Sequence, residues 1–293
     1  MTERNSWFRR HRKTAVPYLL ALPAVVWLIV LFLIPLVVML VKSLETCSPI
    51  TGSCEMTWNW SIFNLEWSMF HNQFFTSLRY AGIATAIDLL LAFPIAYFIA
   101  FFSGRRKNFF LLMLLVPFFI SFVIRTIIWQ FLLSNSGIVL TVLRDLHLVG
   151  ADYRILGTST AVIAGMAYNY LPFTALPLYV SLERIDRSIL DAGADLYAGK
   201  VMRFVKVVLP LCIPGIFAAF LLTFIPALGD YVNQQVLGGI SNTMVGTIIQ
   251  NLFLVNANYP GGSALSAILM GFSLIGILAY AKLVGTKSIG EYL

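Results

Sequence analysis

The residues of this chain best suited to chemistry stand inside or beside long apolar stretches. Asp88 falls near the middle of one stretch, Arg125 in another, and Asp230 closes a third beside Tyr231 and Asn233. Tyr168, Asn169 and Tyr170 lie together in a fourth, ahead of Pro172 and Pro177, and Trp129 lies one turn beyond Arg125. Carboxylates with aromatic faces suit a cationic ligand, through charge and cation–π attraction. Proline lets a helix bend and turn free carbonyls toward a cavity. The competing reading of each residue is helix packing or an interfacial aromatic. Asp230 is the leading candidate contact, because an acid at the end of a stretch beside Gly229 has little packing value. A lone charge in an apolar layer is costly, and pairing or a wet cavity is the usual remedy. Asp88 and Arg125 each sit about 21–24 Å above the same face, counted at 1.5 Å per residue along straight helices. The matching depth predicts an Asp88–Arg125 ion pair; the alternative is that each faces water separately.

A second concentration of polar patterning runs from Ser188 to Ile216, SILDAGADLYAGKVMRFVKVVLPLCIPGI. It holds Asp191 beside the small Ala192 and Gly193, then Gly199, then Lys200, Arg203 and Lys206, and it closes on Leu209-Pro210. Residues Arg187 to Ala198 predict about three helical turns, with Ile189, Leu190, Ala194 and Tyr197 at apolar spacing. Ala192 and Gly193 would admit a partner closely. Lys200, Arg203 and Lys206 read as ordinary positive charges of a membrane-flanking loop. An apolar protein keeps such patterning in a loop that meets another protein.

Enzyme motifs are absent. There is no GxSxG, HExxH or CxxC, and the nearest approach to a phosphate-cradling loop has Ala194 for its first glycine and Val201 for its hydroxyl. His11, His71 and His147 are scattered, and no cluster has metal spacing. No catalytic residue, metal or cofactor is therefore expected in the chain itself. Cys47 and Cys54 fall in one loop, where a disulfide and two free thiols are both open readings; Cys212 reads as packing.

These residues must be positioned by membrane helices. Of 293 residues, 59% are hydrophobic and only 11% charged, against about 25% charged in soluble domains. Six stretches reach the roughly 20 residues that cross a bilayer: Tyr18–Val41, Leu78–Phe102, Phe109–Leu133, Ser159–Leu182, Val207–Leu228 and Ala264–Val284. They are too long and too uniform for a β-barrel. The expected fold is all-α with six spans: a basic segment over 1–17, one six-span transmembrane domain over 18–284 with a loop at 183–206, and a tail over 285–293. Fifteen of the twenty Lys and Arg fall on the side of the termini, the 103–108 turn and the 183–206 loop, which makes that side cytoplasmic. The net charge of +7 thus follows from topology and asks for no nucleic-acid partner. The first stretch exceeds a signal-peptide core and reads as a retained span. The aromatic segment Trp58–Phe75 reads as an amphipathic stretch at the membrane surface, or as aromatic packing over the helix ends, and part of Asp230–Gly262 as folding back into the membrane mouth or lying along it.

The Ser188–Ile216 segment resembles the EAA motif of binding-protein-dependent ABC importer permeases. Asp191 stands for its acid, Ala192 and Gly193 for its small pair, Val207 for its apolar position and Leu209-Pro210 for its ending. Tyr197 stands where the family has glycine, which predicts a turn displaced to Gly199. Tyr170-Leu171-Pro172-Phe173, Val116-Pro117-Phe118, Ile124-Arg125 and Leu237-Gly238-Gly239 read like the spermidine/putrescine permeases. The resemblance implies a bacterial inner-membrane subunit paired with a related permease. It implies two cytoplasmic ATPase subunits carrying ATP and magnesium, and an extracytoplasmic substrate-binding protein. The loop would form a coupling helix, through Asp191, Ala192, Gly193, Tyr197, Gly199, Leu209 and Pro210. A substrate pathway would use Asp230, Tyr231, Tyr168, Asn169, Tyr170, Trp129, Asp88 and Arg125. The alternatives are the same machine for thiamine, a metal or an anion, and an ATPase-independent carrier or channel.

Overall fold

The computed structural model describes residues 21–47, 54–150, 152–195 and 197–289; the basic segment 1–17 lies outside them. Helix α1 (Ala21–Lys42) leads into a hairpin of β1 (Glu45–Cys47) and β2 (Cys54–Met56), antiparallel with Cys47 opposite Cys54. A disulfide joins those two cysteines. Then follow α2 (Ser61–Phe101), α3 (Lys107–Leu115), α4 (Phe122–Leu133), α5 (Ile138–Asp145), α6 (Ser159–Glu183) and α7 (Arg187–Asp195). The remainder is α8 (Lys200–Leu211, π-helical over Phe204–Val208), α9 (Ile213–Leu228), α10 (Val232–Leu237), α11 (Val245–Leu254) and α12 (Tyr259–Ile289). Among the described residues five helical units are long and apolar enough to cross a membrane. A sixth arises if α8 and α9, bent by 63°, form one span. Pro210 and Pro214 flank that bend at Cys212, and each removes a backbone donor there.

Two stretches differ from their sequence expectation, and a third, Asp230–Gly262, folds inward. The aromatic segment does not form a separate surface helix: from Ser61 it is the start of α2. At 1.5 Å per residue, α2 is about 60 Å long, twice a hydrocarbon core of about 30 Å. The stretch Phe109–Leu133 is not continuous. Helix α3 stops at Leu115, tightens into a 3-10 turn over Val116–Phe119 and opens at Ile120, φ −93° and ψ 136°. Pro117, which lacks a donor, sits in that turn. The chain resumes as α4 and crosses together with α5. The Asp230–Gly262 segment holds α10 and α11 and packs inward, with Leu237, Met244 and Val245 fully buried.

The core is α2, α6 and α9 packed on one another, with α6 the most enclosed span. Lipid is as apolar as leucine, so close packing of small residues must hold such helices together. Ala84, Ala92 and Ala96 of α2 are fully buried. At Gly215 of α9, an added Cβ would stand 2.3 Å from the Cβ of Ser181 and 3.2 Å from the carbonyl oxygen of Pro177 on α6. Buried Cys212 packs in the same cluster as Leu178, Leu182 and Val208.

Candidate functional site

A polar network lies where α4, α6 and α10 meet. Asp230, at the junction of α9 and α10, is 5% exposed. Its Oδ1 accepts from the backbone N–H of Asn233 at 3.0 Å, and its Oδ2 from Asn233 Nδ2 at 2.6 Å and the Tyr170 hydroxyl at 3.1 Å. Asn169 Nδ2 donates to Thr126 Oγ1 and to Asn233 Oδ1, both at 3.0 Å. The small Gly165 lets α10 approach α6: a Cβ there would fall 2.2 Å from Leu237 Cδ1. The structure thus brings together three residues expected from sequence, Asp230, Asn169 and Tyr170. It adds Thr126, whose only signal was polarity inside apolar surroundings, and it makes Asn233, noted in the sequence as Asp230's neighbour, the centre of the network. One expectation is corrected. Asp230 has a structural use, because it caps the start of α10 and ties that helix to α6, with both oxygens engaged.

The Asp88–Arg125 pair is corrected too. Asp88 is fully buried on α2, and neither carboxylate oxygen has a hydrogen-bond partner. Arg125 lies over aromatic faces instead, its guanidinium carbon 5.0 Å from the Phe118 ring centre and 5.7 Å from that of Phe122. The depth count assumed one straight helix from Phe109. The break at Pro117–Ser121 resets the register, and α4 packs mainly against α5, α6 and α10 while α2 packs against α6 and α9. Trp129 and Tyr168 meet at a tilt of 58°, with ring centres 5.3 Å apart. Tyr168 and Tyr231 are 38% and 43% exposed, so the accessible part of the predicted pathway is aromatic and its acids are enclosed.

The second site is the loop that joins α6 to α9. Asp186 opens α7: its Oδ1 accepts from the Ser188 N–H at 2.9 Å, and that N–H and the Ser188 hydroxyl hold the carboxyl below the usual carboxylate range. At the other end the Tyr197 N–H donates to the Ala194 carbonyl at 2.9 Å and the Ala198 N–H to the Gly193 carbonyl at 3.1 Å. This is the double bond of a Schellman end, and its left-handed position belongs to Tyr197, φ +57°. The turn is therefore not displaced to Gly199, whose φ is −60°. A tyrosine fills the position that favours glycine, at a cost of roughly 1–2 kcal/mol. Arg203 is no ordinary flanking charge. Its stem would lie 3.3 Å from a Cβ at Gly193, and its Nη1 donates to the Leu190 carbonyl at 3.1 Å, clamping α8 to α7. Gly193 thus makes room for Arg203 of the same loop. Arg187 donates to the Phe101 carbonyl at the end of α2, and Lys107 pairs with Glu183. Asp191 and Ala192 stay exposed, as do Leu209 and Pro210 where α8 turns into the core.

Comparison with known proteins places this geometry. A family model described as "Binding-protein-dependent transport system inner membrane component" matches residues 92–285. The spermidine/putrescine transport system permease protein PotB of Haemophilus influenzae is 36% identical over 247 residues, 82% of this chain and 84% of that protein. PotB of Escherichia coli is 36% identical over 214 residues, 72% of this chain and 78% of that protein. A chain of a bacterial ABC transporter that imports the acidic polysaccharide alginate superposes with a TM-score of 0.67 at 15% identity, over 97% of this chain and 99% of that one. A second alginate transporter structure, in complex with a pentasaccharide-bound periplasmic protein, gives 0.67 at 16% identity over 92% and 94%. Those two likenesses are of fold.

Proposed function

The chain belongs to the family of binding-protein-dependent transport system inner membrane components, and we propose on that premise that it is the transmembrane subunit of an ATP-driven importer moving polyamines of the spermidine and putrescine class. The substrate class is carried by the 36% identity to a spermidine/putrescine permease across 82% of this chain. Around it we place a second related permease, two cytoplasmic ATPase subunits holding ATP and magnesium, and an extracytoplasmic binding protein that delivers the substrate.

Orientation rests on two independent supports. Charge asymmetry puts the α6–α9 loop in the cytoplasm. The Cys47–Cys54 disulfide precedes the start of α2, while Arg187 of the loop bonds the carbonyl of Phe101 at its end. A disulfide persists in an oxidising exterior, so the opposite end of α2 faces the cytoplasm. There α7, capped and clamped, serves as the coupling helix. ATP closes the ATPases, α7 moves with them, and α8–α9 carries the displacement into the core at the Cys212 bend. ATP shifts this equilibrium only by binding its two states with different affinity.

Within the path, Trp129, Tyr168 and Tyr231 offer ring faces to an ammonium group, and Asp230 and Asp88 are the acids enclosed deeper in the chain. Arg125 carries the substrate's own sign, so it bounds the path and does not contact the polyamine. The complete assembly in proteoliposomes should take up radiolabelled spermidine and putrescine only with ATP, and unlabelled thiamine should not compete. Uptake without ATP, or displacement by thiamine, would overturn the reading.

A further inference from the structure

We infer that Tyr197 is an anchor by which this chain seats in its ATPase partner, entering an apolar socket whose rim is basic toward α7 and acidic toward α8. The inference rests on the coupling reading of the loop and names the side chain and the partner chemistry within it. Tyr197 is 98% exposed, and its side chain makes no hydrogen bond or ring contact with the described residues. It also holds a left-handed backbone conformation that penalises a bulky residue. Against the described residues the tyrosine carries that penalty and gains no hydrogen bond or ring contact; glycine would form the same Schellman end without it. A large exposed aromatic on a strained apex has its contact in another molecule.

The surroundings say what kind of molecule. Val201 is 77% exposed, and Met202 and Val205 are each 51% exposed, so the helix that follows Tyr197 also presents apolar side chains. Asp191 and Asp195 on α7, and Lys200 and Lys206 on α8, are exposed and form no ion pair among the described residues. An anionic headgroup layer would repel the α7 side of this surface, whereas a folded protein can complement both signs. The loop is also fixed before any partner arrives, by the Arg203 clamp and the Arg187 bond to α2. A preorganised aromatic surrounded by apolar and charged groups is the usual form of an interface anchor.

The test uses the permease pair in nanodiscs, with its ATPase stripped and rebound and the dissociation constant measured. Tyr197→Gly relieves the backbone, and Tyr197→Asn tolerates the left-handed conformation; each should weaken rebinding at least about tenfold, the size of a moderate anchor, about 1.4 kcal/mol. Tyr197→Phe, which keeps the ring, should bind within a factor of about three. The thermal midpoint of Tyr197→Gly should not fall, which separates loss of contact from loss of fold. Rebinding of the Gly and Asn variants at the unaltered affinity overturns the anchor. Gly193→Trp, which forces Arg203 out of its clamp, tells the two ideas apart. If it alone loses the ATPase, the anchor fails and the coupling loop stands; if it too rebinds normally, both fail.

Discussion

At the scale of the residue, Asp230 shows how a group that looks like a ligand contact is used by the fold. Its carboxylate accepts from the Asn233 N–H, from Asn233 Nδ2 and from Tyr170. Removing it strands all three donors in a site that is 5% exposed. A buried donor left without its acceptor costs about 1–3 kcal/mol, and more when the bond was to a charged group. Asp230→Ala should therefore destabilise the chain by about 3 kcal/mol. Asp230→Asn keeps an acceptor for the α10 cap and should lose less than half of that, and thermal unfolding in detergent ranks the two. If both variants unfold with the unaltered protein while polyamine uptake is lost, Asp230 is a ligand contact and its cap is incidental.

At the scale of the element, close approach decides more than hydrophobicity. Helices α6 and α9 touch at Gly215, against Ser181 and the Pro177 carbonyl. A backbone carbonyl cannot rotate away, so Gly215→Val must push the helices apart. Overpacking of this kind costs about 1–3 kcal/mol. The bend at Cys212 would lose its support, and ATP hydrolysis should continue with reduced uptake. Equal loss of hydrolysis and uptake would point instead to general misfolding. Such contacts were the part of the molecule least legible in the sequence. Apolar length revealed the spans, and the spacing of Arg187 to Ala198 revealed α7, because both are local. The break before α4 was signalled by Pro117, yet the Phe109–Leu133 stretch reads as one span by hydropathy alone. The Asp88–Arg125 pairing failed for that reason: a depth count is only as good as the helix is straight. The Arg203 clamp joins residues ten and thirteen apart in chain order across a turn, and nothing in the residue types marks Gly193 as its seat. Asn169, Tyr170 and Asp230 were recognisable singly as polar residues in apolar stretches, but their grouping with Thr126 is a product of tertiary packing.

At the scale of the whole molecule, direction is the property on which the proposed function depends. An importer needs its ATPase-facing loop inside and its substrate entrance outside. The positive-inside bias counts charges, fifteen against five, and several of the fifteen stand in the segment 1–17, outside the described residues. The disulfide argument uses none of the charges in segment 1–17. It needs only that the hairpin and the α7 loop lie at opposite ends of α2, which the Arg187 bond to Phe101 and the position of Cys54 just before Ser61 establish. A single thiol can test the orientation both imply. Lys200→Cys, in a Cys212→Ala background with the Cys47–Cys54 bond intact, places a thiol on an exposed turn of α8. A membrane-impermeant maleimide should label it in inside-out vesicles and leave it unlabelled in intact spheroplasts. Labelling in spheroplasts alone would reverse the molecule and remove the loop from reach of a cytoplasmic ATPase. The same vesicles after reduction should expose Cys47 and Cys54 to the reagent only from the opposite face, so that the two ends of α2 report on each other.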